Sequence, residues 1–152
     1  MDVDSLYQEI ILDHYRNPRG VGLLPEPHGE SHQVNPTCGD EVTVTVTADA
    51  DGLLHVGYEG QGCSISQASA SVMSELVEGR PIAEIHRVEA AFLDLMRSKG
   101  SGTPDEEVLQ DAVAFAGVSK YPARIKCALL PWMALRDAEV KAGIPVEGGS
   151  YE

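Results

Sequence analysis

No stretch of the 152-residue chain approaches the run of about 18 apolar residues that crosses a bilayer. The opening Met1-Asp2-Val3-Asp4 also lacks the basic start and apolar stretch of a secretory signal. These absences predict a cytoplasmic chain. Cations are scarce: 11 Lys and Arg face 24 Asp and Glu, a formal net charge of −13. None of the 11 lies between Gly20 and Gly79, a stretch that holds nine acidic residues. A field of that sign repels phosphate backbones and anionic lipid, so neither nucleic acid nor a membrane is expected as a partner. Cysteine is scarce too. Three are an odd number, too few to staple a domain of this size, and are read as reduced thiols.

What remains is ordinary for a soluble globular chain, with 43% hydrophobic and 23% charged residues. The length suits one domain over residues 1–152, with no repeats or low-complexity tracts. Residues 5–16 have helical spacing, with Leu6, Tyr7, Ile10, Ile11 and Tyr15 on one face. The Pro- and Gly-rich segment from Val21 to Pro36 is irregular, with an edge strand expected around Ser31–Val34. Val42, Val44 and Val46 alternate with threonines, and Asp51-Gly52 turns the chain into a second strand near Leu53–Glu59. Helices follow from Cys63 to Gly79 and through Ile82, Ile85, Val88, Phe92 and Leu95. Gly100-Ser101-Gly102 reads as a flexible connector. Thr103-Pro104-Asp105-Glu106 predicts a further helix capped by Thr103, with Leu109, Val113 and Phe115 in the core. The last helix is expected from Pro122 towards Ala142, interrupted at Pro131.

The chemistry of the sequence lies in its thiols. Cys38 and Asp40 share a Gly-containing turn and converge just before the first secure strand. Cys63 follows Gly60 and Gly62 at a helix start, where the helix dipole favours a thiolate. Cys127 stands early in the last helix beside Arg124 and Lys126, which predicts an acidic thiol. A single free cysteine is more often simply buried. Here all three occupy turns or helix starts beside Gly, Asp, Arg or Lys, where a structural thiol gains little. Three thiolates and Asp40 are a plausible tetrahedral set for zinc. Their combined charge of about −4 would be balanced by Zn²⁺ together with Arg124 and Lys126 held just outside the donors. The spacing of the cysteines has none of the tight pairs of a zinc ribbon and by itself supports a metal site only weakly. His28 and His32 are read as solvated, and His14, His55 and His86 are assigned no role.

Several motifs together resemble the SufU branch of the IscU/NifU-N-like iron–sulfur cluster assembly proteins. They are Asp13-His14-Tyr15-Arg16-Asn17-Pro18-Arg19, Asn35-Pro36-Thr37-Cys38-Gly39-Asp40, Gly60-Gln61-Gly62-Cys63-Ser64-Ile65-Ser66 and Arg124-Ile125-Lys126-Cys127-Ala128-Leu129-Leu130-Pro131-Trp132. The resemblance implies an α+β fold, a small antiparallel sheet of about three strands packed against several helices. It also implies a metal site of Cys38, Asp40, Cys63 and Cys127. IscU scaffolds carry His before the third cysteine; this chain has Lys126, and it carries extra residues around Phe92–Glu107. Both departures point to the SufU branch. The implied function is a zinc-dependent sulfur carrier, a sulfurtransferase that takes persulfide sulfur from a SufS-type cysteine desulfurase on Cys38 for downstream iron–sulfur assembly proteins. The alternatives are a scaffold on which an iron–sulfur cluster is built, and an interaction module with a purely structural zinc.

Overall fold

The alternating valines build the strand that organises the molecule. In the computed structural model, which describes residues 3–101 and 103–145, Asp40–Ala48 forms β2, and Val42, Val44 and Val46 all point into the core. Gly29–Asn35 (β1) and Leu53–Gln61 (β3) pair with β2 on either side, both antiparallel. The turn between β2 and β3 is held by the Asp49 carboxylate, which accepts from the backbone N–H groups of Asp51 (2.8 Å) and Leu53 (3.1 Å). A two-residue strand, Arg80–Pro81 (β4), adds to Leu53 and Leu54 and completes a four-stranded meander in the order β1-β2-β3-β4. This extends the expected three strands by one short edge.

The helices cover the sheet. Val3–Arg16 is α1, Ser64–Val77 is α2, Ile82–Arg97 is α3, Glu106–Leu109 is α4 and Pro122–Lys141 is α5. α2 is the central helix. Its Ala68, Ser69, Ala70, Ser71 and Ser74 are all buried, and such small side chains let α1 and α5 pack closely against it. Polar atoms there are satisfied: Ser69 donates to the Ala128 carbonyl (2.6 Å) and accepts from the Trp132 indole N–H (3.1 Å). Trp132 stacks on Phe92 at 4.5 Å, and Phe115 meets Phe92 edge-on at 5.8 Å. Pro131 lies inside a continuous α5.

Two expectations are corrected in the segment before α5. The helix cap is Asp105, not Thr103, because the Asp105 carboxylate reaches the N–H groups of Glu107 (3.1 Å) and Val108 (3.4 Å). The α-helix lasts only four residues before Gln110, at φ +47°, diverts the chain into a 3₁₀ helix over Gln110–Lys120. Leu109, Val113 and Phe115 still reach the core. The connector is also more tied than its composition suggests: the Gly100 N–H donates to Ser119 Oγ at 2.9 Å, and Ser101 is bonded back to Ser98. Gly102 lies outside the described residues.

Candidate metal centre

One end of the sheet gathers residues far apart in sequence. The β1–β2 register sets Asn35 opposite Asp40, and the β2–β3 register sets Glu41 opposite Gln61. The turn carrying Cys38, the first residue of β2 and the entry to α2 therefore meet at the same edge. Cys127 is delivered from the second turn of α5, which packs across β1 and β2.

The four side chains converge. Cys38 Sγ lies 3.2 Å from Cys127 Sγ, and Cys63 Sγ lies 3.5 Å from Asp40 Oδ2. Donor atoms of Cys38, Asp40 and Cys127 all fall within 4.8 Å of one another. Their exposure is graded: Cys38 is exposed, Cys63 half-buried, and Cys127 and Asp40 buried. Asp40 does two jobs, since Oδ1 accepts the Cys63 backbone N–H at 2.7 Å while Oδ2 faces the sulfurs. That geometry requires Gly62, whose φ is +140° and where an added Cβ would fall 2.2 Å from Asp40 Oδ1. Gln67 supports the same loop: with its amide oxygen turned towards them, it accepts from the N–H groups of Gln61 (3.0 Å) and Gly62 (3.2 Å). Ser66 Oγ donates to the Cys63 carbonyl at 3.1 Å. Sequence reasoning assigned neither Ser66 nor Gln67 a role; their place in the first turn of the helix after Cys63 was the available signal.

The expectation of an acidic Cys127 is corrected. Burial, followed by the adjoining Cys38, Asp40 and Cys63 side chains, pushes this thiol well above the usual cysteine range. The helix start and nearby cations are outweighed because Arg124 and Lys126 point outwards and are both exposed. The Arg124 guanidinium lies 5.0 Å over the Tyr121 ring, in a groove lined also by Tyr7, Ile11 and Ile65. Among the described residues, neither cation makes a hydrogen bond or ion pair to the cysteines or Asp40.

Three sulfurs and a carboxylate converging on one point form a donor set for a cation, since a coordinated thiol is deprotonated outright. Tetrahedral zinc, with bonds of about 2.3 Å to sulfur and 2.0–2.2 Å to oxygen, sets sulfur and oxygen about 3.5 Å apart and two sulfurs about 3.8 Å apart. The Cys63–Asp40 distance of 3.5 Å agrees, and the 3.2 Å between Cys38 and Cys127 opens by a small rotation of the exposed Cys38 side chain. The residues fit a four-coordinate zinc. They are also the donors an iron–sulfur cluster takes.

Residues 6–128 match the NifU-like N-terminal domain family. The chain belongs to that family. Within it, the sequence is 42% identical over 149 residues, 98% of this chain and 97% of the relative, to the zinc-dependent sulfurtransferase SufU of Bacillus subtilis (strain 168). It is 36% identical to the iron–sulfur cluster assembly scaffold protein IscU of Streptococcus pyogenes serotype M1, over 90% of this chain and 84% of that one. Among solved structures it resembles an iron–sulfur cluster assembly scaffold protein for the SUF system from Fervidobacterium islandicum AW-1. That likeness has a TM-score of 0.77 and 34% identity, over 90% of this chain and 98% of the other. A nitrogen-fixing NifU-like protein (N-terminal) from Brucella abortus gives 0.81 at 28% identity, over 93% and 96%. The α+β architecture expected from the motifs is the architecture of this NifU-like family. Among the described residues no helix is long and apolar enough to cross a membrane.

Proposed function

We propose that this NifU-like chain is a cytoplasmic, zinc-dependent sulfur carrier. It accepts sulfur from the persulfide of a SufS-type cysteine desulfurase on Cys38 and passes it to downstream iron–sulfur assembly proteins. One observation carries the reading: Cys38 is exposed on a turn while Asp40 and Cys127 beside it are buried, so one donor is reachable and the others are held. The likeness to a relative named a zinc-dependent sulfurtransferase supports it.

Cys38, Asp40, Cys63 and Cys127 would hold the zinc, which supplies positive charge that keeps sulfur ionised near neutral pH. The chain's own residues do the rest. Asp40 fixes the Cys63 loop, burial of Cys127 anchors the inner side, and the turn at Cys38 leaves that donor exposed to a partner, to which it must be released from the metal before it reacts. In the transfer, the Cys38 thiolate attacks the outer sulfur of the partner's persulfide. A sulfur–sulfur bond forms to Cys38, the partner's sulfur–sulfur bond breaks, and the partner's cysteine leaves as a thiolate. No net oxidation occurs.

Zinc content measured together with the desulfurase rate tests this. One zinc per chain in colourless protein purified without air, and a faster desulfurase on its addition, are expected; unchanged turnover with zinc bound would contradict the carrier. The scaffold reading rests on the same donors and the likeness to IscU. It predicts brown protein holding iron and sulfide instead.

A further inference from the structure

At the contact between α3 and α5, away from the cysteines in sequence, a second set of donors is buried. Glu139 is 0% and Glu89 5% exposed, and the His86 side chain is 13% exposed. Donor atoms of the three lie within 4.8 Å of one another, with His86 Nε2 3.9 Å from Glu139 Oε1. With both carboxyls ionised, both oxygens of Glu139, Oε2 of Glu89 and Nε2 of His86 have no hydrogen-bond partner. A buried carboxylate is costly unless it is bonded, protonated or paired with positive charge. Three carboxylate oxygens and an imidazole nitrogen left without partners at one buried contact are not explained by packing.

We propose that His86, Glu89 and Glu139 form a second divalent-cation site, oxygen-rich where the cysteine centre is sulfur-rich. His86 and Glu89 are three apart on α3 and therefore share a face, which α5 meets with Glu139. One imidazole and two carboxylates on facing helices are a recurring donor arrangement in helical bundles. Two donors that each lie about 2.0–2.2 Å from one ion are about 3 to 4.3 Å apart, and the His86–Glu139 separation of 3.9 Å falls in that range. A dication would neutralise the two carboxylates and give every orphaned atom a partner. The partly exposed imidazole marks the way in, and solvent would complete the coordination from that side. The donor types favour Mn²⁺ or Fe²⁺ over the softer metals that thiolates select.

The electrostatics agree. Burial first, and the facing Glu89 second, push Glu139 up to about 10. Glu89 is raised by burial as well. On Glu89 the hydrogen bond shared with Glu139, then His86 and Arg136, and on Glu139 the Arg136 charge, act in the opposite sense without cancelling the burial. The pair is short of positive charge.

The test is titration of the full chain, as isolated with its cysteine centre loaded, with Mn²⁺ followed by the loss of the free-ion EPR signal. Zinc and iron are counted in the same samples, so failure of the sulfur-carrier reading is registered separately. The expected result is one saturable Mn²⁺ per chain. Affinity should fall at least about tenfold in Glu139→Gln and in His86→Ala, and stay unchanged in His55→Gln. Should Glu139→Gln fail to fold by circular dichroism, His86→Ala decides, because that side chain lies at the open edge. Absence of saturable binding, or binding that survives the His86 substitution, would overturn the proposal.

Discussion

The cysteine end of the sheet and the His14 centre between α1, α2 and the 3₁₀ helix are both polar constellations built from distant segments, yet their hydrogen bonding differs. His14 is fully buried, with Nδ1 2.8 Å from Ser71 Oγ and Nε2 2.8 Å from Asp111 Oδ2. Ser71 also accepts the Arg19 backbone N–H at 2.9 Å, and the Arg19 side chain is paired to Asp13 and Glu75. Both ring nitrogens are spoken for, and the group ties the chain after α1 to α2. At the cysteine end the sulfurs face chiefly one another and a carboxylate. Saturated polar groups hold a fold together, whereas groups whose best partner is missing from the chain invite a ligand. The nearness of His14, Glu75 and Asp111 is accordingly assigned to structure, although their atoms are as close as those of the cysteine centre.

The largest effect expected from breaking this contrast is at Asp40. Asp40→Asn keeps an oxygen for the Cys63 N–H but removes the anionic donor, so bound zinc should fall from one per chain towards none while the far-ultraviolet spectrum is kept; metal analysis with circular dichroism checks it. Gly62→Ala forces a side chain into φ +140° and against the Asp40 carboxylate. A loss on the order of 3 kcal/mol, with weaker zinc retention, is expected in denaturant titrations. His14→Ala leaves a cavity at a fully buried position and removes both ring hydrogen bonds, which should cost about 2 kcal/mol, but bound zinc should not change. Equal loss of zinc in this variant would erase the distinction between the two centres.

The smallest effect concerns a surface clasp. His55 bridges Asp49 (2.8 Å) and Glu78 (2.6 Å), and these bonds, Asp49 first, raise its pKa. The stability it contributes is complete below the unfolded value of about 6.5 and is lost as pH rises through the raised folded value. His55→Gln should therefore flatten the decline of the urea midpoint above about pH 6.5. An unaltered slope would mean that the clasp adds nothing.

Much of the fold was legible because local pattern and tertiary role agree. The Val42–Val44–Val46 alternation, the turn before Leu53 and the Ile85–Val88–Phe92 face all became what they predict. The segment after Gly102 was not, since capping by Thr103 or Asp105 is decided by which oxygen reaches the free N–H groups, and a 3₁₀ run has no distinctive apolar period. The cysteine centre was legible mainly through its resemblance to a family: Cys38, Cys63 and Cys127 are too widely spaced for any local rule to join them. His86, Glu89 and Glu139 were passed over as ordinary helix residues. A trace existed, for Glu89 stands four residues after Ile85 and Glu139 four after Leu135, each in line with a buried position where an apolar side chain is expected.

The central claim is that Cys38, Asp40, Cys63 and Cys127 hold one zinc and that Cys38, the exposed donor among them, receives the sulfur. Mass spectrometry of peptides after incubation with a cysteine desulfurase and cysteine tests it most directly. Wild-type protein should gain one sulfur atom on the Cys38 peptide, and Cys38→Ala should gain none anywhere. Sulfur appearing on Cys63 or Cys127, or uptake that persists in Cys38→Ala with zinc still bound, would contradict it.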